Sequence, residues 1–419
     1  MKKIILQALF ILALAYSADA QRFNHHCKTV DKINELKSAD AGLEARASNA
    51  ESRIQNWIQN NPNHKTKSVL VIPVVVHVLY RTAIQNIPDA RIQLQMDILN
   101  KDYRKLNADT SGIPAAFKPF AGDCEIEFCL AKRDEFGNTT TGITRKQVNI
   151  KEIGNTNKYY QSSQGGEAIW NRNHYLNFWV CEIDSMGGTL GFSTVPQYSP
   201  AATSDGVVID YRYFGTSTNT HYNKGRTATH EVGHWLNLQH IWGDDFGWCS
   251  TDDFVSDTPM QTMEHYGLPS FPSLDSCTSV APGTMFMNYM DYTDDNGMFM
   301  FTAGQKQRIW AALNTTFRDS LFNSKGCLPV GIQENSLEQA FKIQPNPSNG
   351  VFNFSVEMPG TNSLEMYIYD GIGKCIHVEE AKFSGYFSKT IDLSAYANGF
   401  YFLRMNSNGQ TINKKILKE

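Results

Sequence analysis

The stretch His230-Glu231-Val232-Gly233-His234-Trp235-Leu236-Asn237-Leu238-Gln239-His240 sets three imidazoles at a spacing that one kind of backbone path can use. On a helix, His230 and His234 lie one turn apart on the same face, so their rings can converge on a single metal ion. Glu231 lies beside the first of them. Zinc held by three protein ligands keeps a fourth position open for water and lowers the pKa of that water to about 7. Glu231 is then the candidate general base, able to take the proton and pass it on. His240 follows six residues after His234. In an unbroken helix it would lie about 9 Å further along the axis, out of reach of the same ion. The helix must therefore end between them and the chain must turn back. Asn237 stands where that turn is needed, and Asn is second only to Gly in tolerating φ > 0.

Around this stretch the chain divides into unlike segments. Its 419 residues exceed one ordinary core, so two or three folded units are expected. The formal net charge of -4 offers no basic surplus for nucleic acid, and the 41% hydrophobic content suits a globular chain. Residues 1–20 read as a signal peptide: Lys2 and Lys3, an apolar run from Ile4 to Tyr16, then Ala18-Asp19-Ala20. The run is shorter than the roughly 18 residues a spanning helix needs, so no integral membrane segment is expected in the mature chain. Residues 21–66 read as a small helical segment. Leu43, Ala47, Ala50, Ile54 and Trp57 share one helical face, and Asn60-Asn61-Pro62-Asn63 breaks it.

A large α/β unit is expected over 67–330. Val69 to Tyr80 reads as a buried strand, and Asp89 as the cap of a helix with the face Ile92, Met96, Leu99, Tyr103 and Leu106. Cys124 to Ala131 and Asn177 to Ile183 read as strands, and Gly304 to Phe317 as a helix. Residues 331–339 read as a linker. Residues 340–419 alternate apolar and polar positions between turn signals at Asp370-Gly371 and Asn408-Gly409, the pattern of a C-terminal β-sandwich. Eight cysteines (Cys27, Cys124, Cys129, Cys181, Cys249, Cys277, Cys327 and Cys375) include no CxxC pair, and export permits disulfides among them.

The sequence HEVGHWLNLQH resembles the extended zinc motif of metzincins. Its flanks IPVVVHV, SDGVVID, HIWGDD, DFVSDTP, MFMNYMDYTDD and FTAGQ resemble the pappalysin family. The resemblance implies an α+β catalytic domain: a twisted mixed sheet with the active-site helix above, and an irregular subdomain below. It implies zinc on His230, His234 and His240 with Glu231 as general base. Asn288-Tyr289-Met290-Asp291-Tyr292 resembles the Met-turn, which implies that Met290 packs beneath the histidines and that Tyr292 hydrogen-bonds the oxyanion. Without the resemblance, Tyr292 is one of 18 tyrosines. The sequence departs from the family pattern at Asn237, where metzincins carry Gly. It also lacks the cysteines that many relatives carry near Leu268 and Gly297. Their joint absence implies that Cys249 and Cys277 bond to each other, the alternative being two free thiols.

The same resemblance implies a latent precursor in which the Cys27 thiolate fills zinc's fourth position, although Lys28 replaces the usual Gly. An unpaired or disulfide-bonded Cys27 stands as the alternative, and cleavage near 60–67 would release activity. Asp244, Asp245, Asp252, Asp253, Asp257 and Thr258 form an oxygen-rich run, with Asp253, Asp257 and Thr258 as candidate ligands of a structural calcium ion; the residues alone fit a solvated acidic loop as well. Gly188 to Pro196 resembles the edge strand that pairs with extended substrate, and Asp294 and Asp295 stand near the family's main specificity pocket, where they would favour a basic side chain. Residues 341–419 resemble the carrier domain of type IX secretion, through Pro345 to Phe352, Asn398 to Leu403 and Lys414 to Lys418. The expected activity is that of a secreted, zinc-dependent metalloendopeptidase, extracellular or at the bacterial cell surface, acting on proteins or peptides. Two alternatives stand beside it: a zinc-binding surface adhesin without peptidase activity, and a zinc hydrolase in which Glu264 replaces His240.

Overall fold

A computed structural model describes residues 26–62, 64–66, 68–199, 202–244, 248–330, 336–408 and 410–419. The expected signal peptide lies outside these residues. Two compact units divide at residues 329 and 330.

The first unit is built on a seven-stranded mixed sheet. Its order is β1 (His26–Cys27), β7 (Thr189–Ser193), β8 (Val207–Asp210), β6 (Leu176–Cys181), β2 (Leu70–Tyr80) and β4 (Ile126–Leu130), with β5 (Ile143–Gln147) also paired to β2. β4 and β5 follow one another along the same edge of β2, at 70–74 and 76–80. The remaining pairings are parallel except β7 with β8, which is antiparallel. β2 is apolar because both its faces are covered, and Ile72 to Leu79 are buried throughout. A two-stranded pair of β3 (Ala121–Gly122) and β9 (Phe301–Thr302) stands apart from this sheet.

Helix α1 (Thr29–Ala39) and helix α2 (Leu43–Asn60) come from the N-terminal segment and pack as part of this unit. α2 buries Leu43, Ala47, Ala50 and Ile54. Helix α3 (Asp89–Tyr103) lies on the sheet, but its start and end differ from expectation. Pro88 is the cap, and Asp89 sits in the first turn with its carboxylate on Arg145. The helix stops at Tyr103 because Lys105 adopts φ 53°, which leaves Leu106 68% exposed. Helix α4 (Arg226–Trp235) carries the histidine motif, and helix α5 (Ala303–Thr315) closes the unit behind it. Disulfides join Cys129 to Cys327 and Cys249 to Cys277, the second tying the long irregular loop to itself.

The end of α4 is locked by a buried ion pair. Arg318 donates through both terminal nitrogens to Asp205 at 2.6 and 2.9 Å, and neither side chain is exposed. The same guanidinium donates from Nε to the Trp235 carbonyl at 3.2 Å and stacks on the Trp235 ring at 3.6 Å.

In the second unit, structure begins at Ser336, within the linker expected over 331–339, whose residues 331–335 lie outside the described ones. Ser336–Ala340 forms a short helix, α6, whose Leu337 is fully buried in the unit's own core. Five antiparallel strands follow: β10 (Phe341–Gln344), β11 (Val351–Tyr369), β12 (Cys375–Asp392), β13 (Gly399–Ser407) and β14 (Gln410–Lys418). The register of β11 on β12 breaks between Met358 and Thr361. The half of β11 before the break pairs with β10 and the half after it with β13. Both halves turn alternate residues (Phe352, Phe354, Val356; Leu364, Met366, Ile368) into one core, the inward and outward alternation of a sandwich face.

Replacing Asp205 with Ala leaves the Arg318 charge buried and unpaired. The expected loss is about 3–5 kcal/mol of stability, read from the denaturant midpoint. An unchanged midpoint would contradict the role given to this pair.

Candidate metal centre

Helix α4 begins at Gly225, whose φ is 75°. It is buried along its whole length, as a helix in the core must be. His230 and His234 face the same side. After Trp235 the chain reverses: Asn237 adopts φ 81°, and the Leu238 N–H returns to the Gly233 carbonyl at 2.8 Å. This is a left-handed cap of the kind usually made with glycine. It brings His240 back beneath the helix, and the three Nε2 atoms lie 3.0, 3.1 and 3.3 Å apart.

The protons of these rings are assigned by their partners. His230 donates from Nδ1 to the Tyr289 carbonyl and His234 from Nδ1 to the Leu238 carbonyl, both at 2.8 Å. His240 donates from Nδ1 to Asp244 at 2.8 Å. With Nδ1 donating in each ring, a neutral imidazole offers its Nε2 lone pair, and the three Nε2 atoms point to one place. Burial, then the neighbouring His240 imidazole, pushes the His230 pKa down to about 3 and that of His234 well below the usual range. Bonds of about 2.0–2.1 Å to a tetrahedral ion place ligand atoms roughly 3.3–3.4 Å apart, so the donor set fits zinc closely. Cys27 Sγ completes the group, with all four ligand atoms within 4.8 Å of one another. Among the described residues it is the one group of three or more His, Cys, Asp or Glu drawn together in this way. Glu264 is not part of it.

Gly233 is required by packing, although glycine weakens a helix interior. A Cβ there would lie 2.5 Å from Met290 Sδ, so the methionine sits directly against the helix between the two histidines. Glu231 is fully buried. Burial pushes its carboxyl up to about 7, against hydrogen bonds from Cys27 and Thr29. Burial, then the Glu231 charge, pushes the Cys27 thiol up as well. Those directions belong to the protein groups alone; a divalent cation among the rings would deprotonate a coordinating thiol outright. The Tyr292 ring packs on His230, His240 and Trp242, with centroids 5.6, 5.0 and 4.9 Å away, and its hydroxyl points to the Cys27 carbonyl at 3.4 Å.

The N-terminal segment occupies this site. β1 runs parallel to β7, and the Lys28 N–H donates to the Gly191 carbonyl at 3.0 Å. Thr29, which sequence reasoning passed over, is 1% exposed. Its hydroxyl donates to Glu231 Oε2 at 3.1 Å and accepts the Ser193 N–H at 2.9 Å. Further along, Glu51 of α2 accepts both terminal nitrogens of buried Arg308 at 2.7 Å, while Arg308 Nε donates to the Asn237 carbonyl at 2.8 Å. A threonine two residues after a cysteine carries no sequence signal by itself, and neither does a glutamate on an amphipathic helix.

Other expected site residues fall elsewhere. Asp244 serves His240 and does not join an acidic cluster, and Asp245 lies outside the described residues. Asp253 accepts from the Thr258 hydroxyl at 2.8 Å and from the Val255 N–H, whereas Asp257 accepts from the Thr302 hydroxyl and the Gly304 N–H at the start of α5. Asp253 and Asp257 thus each face their own set of protein donors. Asp294 pairs with His221 at 2.6 Å. Asp295 instead lines a pocket beside His230 and Glu231, with Leu190, Tyr222 and Met298. The Arg226 charge bordering that pocket is already matched by Asp102 and Asp109, at 3.0 and 3.2 Å.

Comparison with known proteins agrees with this geometry. Residues 159–314 match the family described as Pregnancy-associated plasma protein-A, and residues 342–419 match the secretion system C-terminal sorting domain. An extracellular metalloprotease of Arthroderma otae is 30% identical over 244 residues, spanning 57% of this chain and 76% of that protein. Among solved structures, a promirolysin variant of Tannerella forsythia is 42% identical with a TM-score of 0.63, covering 70% of this chain and 95% of that one. Mature mirolysin of Tannerella forsythia in complex with a cleaved peptide is 46% identical with a TM-score of 0.59, covering 63% of this chain and 100% of that one. The adhesin alternative gains no support from these likenesses. With a histidine-rich site in a mixed α+β unit and a sorting domain behind it, the chain belongs to the pappalysin family and is a secreted metalloendopeptidase.

Proposed function

We propose that the ion is zinc, held by His230, His234 and His240, and that Glu231 is the general base of peptide hydrolysis. The observation that carries this reading is the convergence of three Nε2 atoms beside a buried carboxyl group. Zinc in such a site supplies a polarising charge and lowers the pKa of water at its open position. Glu231 takes a proton from the attacking water and delivers it to the leaving amine. The Tyr292 hydroxyl donates to the oxyanion as the carbonyl becomes tetrahedral. Met290 supports the rings from below by packing alone. Once β1 is removed, the edge of β7 that it covers pairs with an extended substrate, which gives tolerance of sequence, while Asp295 at the pocket favours a basic side chain after the scissile bond.

Residues 21–66 form the prosegment of a zymogen, 67–330 the catalytic domain and 340–419 an address read by the type IX secretion machinery. Latency rests on two contacts. Cys27 takes the fourth coordination position, and Thr29 holds the base with its hydroxyl while β1 covers the substrate edge.

Purified, processed enzyme should cleave a peptide library in a chelator-sensitive way. Glu231→Ala should lose roughly 10²–10⁴-fold in rate while keeping one metal ion per chain. Equal cleavage by wild type and variant would refute the assignment. In the same library, basic residues after the cut should be enriched and should lose that preference in Asp295→Asn. For latency, the precursor variants Cys27→Ser and Thr29→Val should each shorten the lag before self-processing, and the double variant most. A Thr29→Val precursor with the wild-type lag would remove the hydroxyl from the account.

A further inference from the structure

Outside the metal ligands, the most heavily bonded acid in the lower part of the catalytic unit is Asp291, between Met290 and Tyr292. It is fully buried. One oxygen, Oδ1, accepts the backbone N–H of Tyr292 and that of His265, both at 2.7 Å. The other, Oδ2, accepts His265 Nδ1 at 2.8 Å and Gln261 Nε2 at 2.9 Å. Four donors on one carboxylate leave it a single orientation. Burial opposes a charge on His265, but the Asp291 carboxylate outweighs it and the pKa of the ring lies above the usual histidine value. On its far side, His265 Nε2 reaches the hydroxyls of Ser273 and Thr284, each at 3.3 Å, which fixes the ring plane.

The segment that supplies His265 also forms a wall of the cleft. Thr262, Met263, Glu264 and Tyr266 line it opposite His240 and Trp242, and the Tyr266 ring lies 6.0 Å from that of Tyr292. The wall is pinned a second time, where the Thr262 N–H donates to Asp275 at 2.6 Å beside the disulfide-bonded Cys277. His265 therefore joins a rigid wall to the backbone from which the Tyr292 phenol projects.

We infer that His265 is a positioning residue: through Asp291 it holds the Tyr292 hydroxyl where the oxyanion forms. This rests on the oxyanion role proposed for Tyr292. Without the imidazole, the buried carboxylate loses one donor and turns toward those that remain, and the Tyr292 backbone turns with it. A shift of about 1 Å in a reacting group costs up to roughly 10²-fold in rate. An amide donor in place of the ring keeps the bond to Oδ2.

The test is a double-mutant cycle on the processed enzyme, with kcat, KM and metal content measured for each variant. His265→Leu should lower kcat by roughly ten- to a hundredfold with KM held within about twofold, and His265→Asn should recover most of that loss. Combined with Tyr292→Phe, His265→Leu should add nothing further to kcat. Gln261→Met removes the other side-chain donor of Asp291 and should show the same non-additivity, so the cycle can be read even if His265→Leu fails to fold. A loss of equal size in both backgrounds would overturn the inference while leaving the role of Tyr292 intact. A Tyr292→Phe enzyme with wild-type kcat would remove that role, and this inference with it.

Discussion

The site depends on a reversal of the chain within two residues of a helix end. His234 is the last ligand that a helix can offer, and His240 reaches the same point because Asn237 takes φ 81°. That conformation costs an L-residue roughly 1–2 kcal/mol. It is held by partners on every side. The Leu238 N–H returns to Gly233, Arg308 donates to the Asn237 carbonyl, and the Asn237 amide donates to Gln197. The side-chain amide, which a glycine would lack, gives the departure from the family pattern a structural use. Below the turn, Met290 touches the helix where Gly233 leaves room, and Arg318 with Asp205 fixes the helix end.

The N-terminal segment grips the same elements that the proposed reaction uses. β1 lies on β7, Thr29 on Glu231, Cys27 beside the three histidines and Glu51 on the arginine that holds the turn. Arg308 is fully buried, so its charge needs a carboxylate, and in this chain that carboxylate belongs to α2. The segment is therefore packed into the domain at both ends of the site, where it covers Glu231 and the cleft together.

The sequence reveals some of this and not the rest, for physical reasons. Two histidines four residues apart need only helical geometry to share a face, and the third demands a turn whose position the spacing fixes. The valine-rich run of β2 and the alternation of the tail are legible because burial on one or both faces writes a period into the chain. Periodicity fails at its ends: Leu106 continues the face of α3 on paper, but Lys105 has already left the helix. Residues 336–339 look like linker until Leu337 is seen in the second core. Thr29 with Glu231, Arg308 with Glu51, and His265 with Asp291 are 202, 257 and 26 positions apart. No local pattern announces them, because their partners meet only once the sheet and the lower loop are assembled. In the acidic run, Asp253 and Asp257 stand four positions apart yet accept from different groups, Thr258 in one case and Thr302 with Gly304 in the other, which their spacing does not foretell.

X-ray absorption at the zinc edge tests the central geometry most directly, in the precursor and again after processing. The account predicts three imidazole nitrogens at about 2.0–2.1 Å in both forms and one sulfur at about 2.3 Å in the precursor alone. Two imidazoles in place of three, or a precursor spectrum without sulfur, would contradict it.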